Sequence, residues 1–284
     1  MAPRISMTED EAKASIKLDG MLAPVIDEFR AHVVEDNAAW FEFARRLNRL
    51  AARHLADHVQ TIDGREIRDP ISLSFRLTSR VAHTFGAAIV LAERGQIIEA
   101  NTLSRSIYEA GFWIGYLRAS PLKAAADFIT EEMTGQAGRD AAVKKVMAGH
   151  AEVASQLAAQ EAQTKEALKG RERIPSLARM AELAGFPEHY AYYKVLCGTS
   201  AHPTLSSTHG YMTKQDDGDF YGVAFGPDTD NVGQALGFAC HAYMMALTGF
   251  TGLLGFLGRP GEMPDMILEL NALMEGAASK AQHD

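Results

Sequence analysis

The chain has 284 residues, 28 Lys and Arg against 36 Asp and Glu, a formal net charge of −8, 47% hydrophobic residues and 8% aromatic ones. This composition builds a full globular core and excludes a disordered tail, a collagen-like fibre and a disulfide-stapled miniprotein. The acidic balance argues against a dedicated nucleic-acid binder, because neutralising phosphates needs a net positive face.

Taken in chain order, the sequence reads as helix after helix. The N-terminal MAPRISMTEDEAK has no apolar stretch of the secretory kind. Thr8 with Glu11 forms a capping-box pattern for a first short helix. Pro24 interrupts it, and apolar spacing resumes at Val25, Ile26, Phe29 and Val33. A second long helix is expected from Asp36 to about Val59, with Trp40, Phe43, Leu47, Leu50 and Leu55 near a 3.6-residue period. After the turn QTIDGRE, Asp69-Pro70 supplies a cap and a proline at the first helical position. That helix runs to about Arg94 and ends at Gly95. The next covers Gln96 to about Ala119, and Ser120-Pro121 restarts the chain.

Residues 137–169 are rich in Ala, Lys, Glu and Gln with a thin apolar stripe. They predict a long exposed helix, or one arm of an antiparallel pair. Short helices follow Pro175 and Pro187. The segment from His202 to Asp230 alternates weakly around Asp-Asp-Gly-Asp and predicts a small β-hairpin or flap near 205–226. Gly237 to Leu257 is 21 residues without a formal charge. It is long enough to span a bilayer, but its glycines, His241, Thr248 and Thr251 favour a buried central helix, so no membrane partner is expected. Gly233 and Gly237 form a GxxxG pair, where another backbone could approach closely. A last amphipathic helix spans about Glu262 to Glu275, and the tail after it is expected to fray. The fold class is therefore all-α: a helical bundle forming one domain, with its core in about 20–120 and 175–277, a long projecting helix pair in a helical insertion at about 121–172, and the flap. Cys197 and Cys240 belong to no CxxC pair and read as free thiols in a reducing cytosol.

Four clusters could carry chemistry. Arg105 and Glu109 are one turn apart on an otherwise apolar helix, with Thr102 a turn before and Trp113 a turn after. A charged pair on a buried helix is costly unless fully hydrogen-bonded, so it either fixes helix register or lines a pocket. Arg76, Arg80 and His83 share one face of the preceding helix, where three cations call for an acid or a ligand anion opposite, or else lie in solvent. In CGTSAHPTLSSTHG, Ser200 and His202 sit where the helical pattern stops. No GxSxG elbow accompanies them, so a serine nucleophile is disfavoured against a His joining a polar pocket. His54 and His58 are four apart, but HLADH lacks the Glu of HExxH and no third ligand follows at a diagnostic spacing, so no metal is assigned.

Two segments resemble a widespread bacterial helical family of unknown function: LSRSIYEAGFWIGYL, with the family's Arg-x-x-x-Glu helix, and YYKVLCGTSAHP, with a Tyr, then a Ser, then a His. The resemblance covers about residues 70–255. It implies that Arg105, Glu109, Tyr193, Ser200 and His202 lie together in the fold, and it implies no established reaction. The pairs Arg49/His54, Arg53/His58 and Arg76/His83 also resemble the Arg–His spacing of HEPN-type ribonucleases, though this many Arg and His give such spacings by chance.

The expected function is a cytoplasmic protein that binds or acts on a small polar or anionic ligand, with hydrolysis as a candidate reaction and no cofactor assigned. Arg105, Glu109 and His202 would be the catalytic groups. Arg76, Arg80, His83, Tyr193 and Ser200 would bind the ligand, with the flap closing over them. The alternatives are a HEPN-like ribonuclease or defence-type protein, and a non-catalytic structural or interaction module. A homodimer is expected from the glycine-rich and thin helices.

Overall fold

The computed structural model describes residues 8–147, 149–208, 211–214, 220–223, 226–255 and 262–280. Twelve α-helices form among them. The protein is all-α, with one two-stranded antiparallel ribbon.

Local signals set the helix ends. The reciprocal Thr8–Glu11 hydrogen bonds open α1 (Glu9–Asp19). It packs with α2 (Val25–Asp36) around a small satellite cluster of Ala12, Ala23, Val25 and Ile26. The carboxylate of Asp69 accepts from the backbone N–H groups of Ile71 and Ser72, and Pro70 occupies the first position of α4 (Pro70–Glu93). Gly95 follows α4 at φ +70°, and Pro227 lies where a Cβ would stand, so only glycine fits there. The chain then enters α5 (Ile97–Ala119).

The core is built from α4, α5 and α11 (Val232–Leu253), with α3 (Ala38–His58) outside them. By length and composition α11 could cross a membrane, but 72% of its apolar window is buried inside the fold, as expected of a core helix. Its GxxxG pair seats a side chain of the same chain. A Cβ on Gly233 or Gly237 would stand 3.2 or 3.3 Å from the Trp40 indole of α3. Further along, Gly249 meets the backbone of Gly115, so α11 and α5 approach closely.

The segment at 137–169, expected as a long exposed helix or one arm of an antiparallel pair, spans the end of one helix and the whole of the next. Helix α6 (Pro121–Val146) ends in a turn, and α7 (Ala151–Leu168) returns against it. No residue of α7 is buried, and the Lys144–Glu161 ion pair joins the two helices. Helices α8 (Leu177–Ala184) and α9 (His189–Leu196) then pack on α5. A π-helical turn, Cys197–Ala201, prolongs α9 and stops before Pro203, and α10 (Leu205–Thr208) follows.

Strands β1 (Met212–Lys214) and β2 (Phe220–Val223) pair antiparallel, with Met212 opposite Val223. Parts of the expected flap, at 209–210, 215–219 and 224–225, lie outside the described residues. Its anchor is a hydrogen bond from the Tyr211 hydroxyl to Glu99 Oε1, 2.6 Å. Glu99 precedes Glu109 by ten residues, about 15 Å along α5. The described part of the flap therefore sits over the start of α5 and not over Glu109. Helix α12 (Glu262–Lys280) runs past the expected fraying point, and the last four residues lie outside the described set.

Candidate functional site

The site grows from one face of α5. Arg105 and Glu109 form an ion pair, Nη2 to Oε1, at 2.9 Å. Both are half-buried, so the pair sits at an edge of the core and not in its centre. Helix α9 and its π turn supply the rest. The Tyr193 hydroxyl donates to Glu109 Oε1 at 3.0 Å and accepts from Arg105 Nη2 at 3.2 Å. Arg105 Nε donates to Cys197 Sγ, also at 3.2 Å, and its guanidinium lies 5.2 Å above the Tyr193 ring. Burial, a hydrogen bond with Cys197 and the Glu109 carboxylate push the Tyr193 phenol up, so it stays protonated and remains a donor. For Arg105 burial opposes the charge, but Cys197 and Glu109 outweigh it and the guanidinium stays charged.

Among the described residues both protein donors act on Oε1 of Glu109, and Oε2 has no partner. Glu109 lines a cavity of about 310 Å³ between α4, α5, α6 and α8. Arg80, Ser106 and Glu131 add polar groups to its wall, and the Trp113 and Phe128 rings meet edge to face at 5.0 Å in it. A larger depression of about 870 Å³ lies between α3 and α12, but its arginines are already neutralised: Arg46 pairs with Glu269 and Arg53 with Glu262. We place the site at the smaller cavity because its wall residue Glu109 is held by both an arginine and a tyrosine.

The expected residues divide clearly. Arg105, Glu109 and Tyr193 meet. Ser200 comes near through its backbone: its carbonyl accepts from Thr102 Oγ1 at 3.2 Å, while its hydroxyl is spent on the Leu196 carbonyl at 2.7 Å. His202 does not join them. Its side chain is exposed, makes no hydrogen bond or ion pair among the described residues, and does not line the cavity. The physical reason is the π turn, which ends the helix at Ala201 and leaves His202 extended, at φ −122° and ψ 145°. Arg76, Arg80 and His83 are exposed on α4, and of the three only Arg80 lines the cavity.

The Arg–His pairs show no phosphate-ready arrangement on α3. Arg49 pairs with Glu42, Arg53 pairs with Glu262, and His54 is buried. His58 Nδ1 bonds to the His54 carbonyl. No group of three or more His, Cys, Asp or Glu is placed to hold a metal ion among the described residues.

Sequence reasoning missed two features. Cys197 is four residues after Tyr193, a spacing that puts both on one helix face. The second is a stacked imidazole pair, His189 of α9 and His241 of α11, with ring centres 4.3 Å apart and planes 9° from parallel. His241 Nδ1 shares a 2.9 Å hydrogen bond with the Tyr108 hydroxyl. Burial and the neighbouring His189 push His241 down to about 4, and burial lowers His189 as well.

These observations define an all-α protein with a cavity whose lining includes a carboxylate held by an arginine and a tyrosine. Residues 72–219 match the family of unknown function DUF5677, and the chain belongs to that family. The match runs from α4 to beyond β1 and so includes every residue of the cluster and the cavity. No curated protein and no solved structure matches the chain.

Proposed function

We propose that the chain is a cytosolic small-molecule-binding protein whose cavity presents Glu109 to a hydrogen-bond donor on a polar ligand. The observation that carries this reading is the asymmetry of the carboxylate. Oε1 is held by Arg105 and Tyr193, while Oε2 stays free in a residue of the cavity wall. A carboxylate fixed through one oxygen has a defined direction for the other, and an incoming N–H or O–H gains a charge-assisted hydrogen bond without reordering the site. Arg105 and Tyr193 act as positioning residues. Where the ligand is also transformed, Glu109 is the group placed to take its proton, and His202 has no part in the step.

The test is a thermal-shift screen of polar metabolites against the wild type and Glu109→Ala. A bound ligand raises the melting temperature in proportion to RT ln(1 + [L]/Kd). Hits should lose at least about tenfold in affinity in the variant, the size of one charge-assisted hydrogen bond. Hits that bind both proteins equally would overturn the reading.

A second reading is favoured by the closed circuit of Arg105, Glu109 and Tyr193: the three groups only clamp α9 to α5. In that case Tyr193→Phe lowers stability and leaves every ligand response unchanged.

A further inference from the structure

Among the described residues, the arginines with no hydrogen-bond or ion-pair partner are Arg68, Arg76, Arg80 and Arg173. One of these four, Arg80, lines the Glu109 cavity, and two more stand close in sequence to its wall residues. Arg80 is part of its wall, Arg76 lies one turn earlier on the same face of α4, and Arg173 directly precedes the wall residue Ile174. His83 continues that face one turn beyond Arg80 and is also exposed without a partner. Most other described arginines are paired with acids, as Arg30 and Arg45 are with Glu93 or Arg94 is with Asp27. In a chain of net charge −8, unmatched guanidinium groups on and next to one cavity wall form a local anion-attracting surface.

We infer that the ligand of this cavity is a small phosphate monoester. Its donor-bearing body enters toward Glu109 Oε2 and its phosphate stays at the mouth on Arg76, Arg80 and Arg173. The inference rests on the proposed function and extends it to a ligand class. One carboxylate on the ligand would take up a single guanidinium fork. A phosphate monoester, with three terminal oxygens and about two negative charges, matches several. Glu131 on the wall opposes an anion inside the cavity and favours the orientation with phosphate outward. The Trp113 and Phe128 rings suit a compact planar or aliphatic body between the two ends.

The test is calorimetric titration of the full chain with matched probes: cytidine and cytidine 5′-monophosphate, pyridoxamine and its 5′-phosphate, ethanolamine and phosphoethanolamine, and inorganic phosphate alone. The proteins are the wild type, Glu109→Gln, the double variant Arg76→Gln/Arg80→Gln, and Arg68→Gln as the unmatched arginine away from the cavity. All substituted arginines are exposed, and circular dichroism confirms the fold of each variant. In at least one pair the phosphate ester should bind tenfold or more tighter than its parent. That gain should vanish in the double variant and persist in Arg68→Gln, and Glu109→Gln should weaken both members of the pair. A parent that binds through Glu109 as tightly as its ester overturns the ligand class and leaves the proposed function standing. Esters or inorganic phosphate bound through the arginines with no response to Glu109→Gln overturn both. So does the absence of binding by every probe.

Discussion

Acid should loosen this protein through the stacked His189–His241 pair before its carboxylates titrate. His241 is packed against His189 and Tyr192 of α9 and hydrogen-bonded to Tyr108 of α5, and Cys240 precedes it on α11. No carboxylate is hydrogen-bonded or ion-paired to its ring among the described residues, and the carboxylate that acts on the pair is Glu188, next to His189 in sequence. In the unfolded chain the imidazole titrates near its ordinary value of about 6.5. In the folded protein it titrates at about 4. Between those two values the unfolded state holds a proton that the folded state does not, so stability falls as pH falls. The stability is full above about pH 6.5, and the loss saturates below about pH 4. The whole gap corresponds to about 3 kcal/mol, of which about 2 kcal/mol appears between pH 7 and pH 5. His189, also lowered by burial, adds to the loss. Against a typical total of about 5–15 kcal/mol this is a large fraction. The assay is urea unfolding at half-unit intervals from pH 7.5 to 5, for the wild type and His241→Phe. The phenyl ring keeps the stack and cannot be protonated, so its stability should fall less with acid. Parallel pH slopes in the two proteins, within about 0.5 kcal/mol, would refute the reasoning.

Further outcomes follow from the packing and the site. Gly115→Ala places a Cβ 2.6 Å from Ala184 Cβ, between α5 and α8, and should cost about 1–3 kcal/mol in denaturant unfolding. Gly86→Ala on the open face of α4 meets nothing within 4 Å and should stabilise by about 0.5–1 kcal/mol in the same experiment. Tyr193→Phe removes the hydroxyl between Arg105 and Glu109 and should cost about 1 kcal/mol, read by thermal melts. The exposed Arg49–Glu42 pair should contribute less than about 1 kcal/mol in a double-mutant cycle, with the effect shrinking in salt. Light scattering on a sizing column should return a homodimer mass. A clean monomer would remove that expectation, and nothing in the Glu109 cavity depends on it.

The helix ends were legible where a single residue type has a local mechanical reason. Asp69-Pro70 and Thr8–Glu11 act within one turn of themselves, so neighbours in sequence are enough to read them. The break between α6 and α7 was not. Residues 137–169 have high helix propensity throughout, and the reversal after Val146 depends on α7 finding α6, a contact that a thin apolar stripe announces poorly. The GxxxG pair of α11 had a legible meaning, close approach, and an illegible partner: the Trp40 indole replaces the second helix that spacing alone would suggest.

The candidate site divides along the same line. Arg105 and Glu109 face one way because both stand on one regular helix, and a 3.6-residue period carries that information. The same period fails beyond Cys197. There the chain opens into a π turn, each turn takes up an extra residue, and the phase that would bring Ser200 and His202 to α5 is lost. Ser200 arrives with its carbonyl, and His202 turns outward. Cys197, the last residue still in phase with Tyr193, is the one that reaches Arg105. The basic stripe was visible as Arg76, Arg80 and His83. Whether such a stripe is solvated or opposed by acids is a property of what folds against it, and here α6, α8 and the approach to α8 bring Glu131 and Ile174 to the wall while leaving those cations unmatched. A charge pattern on one helix therefore poses the electrostatic question, and three later segments of chain supply the answer.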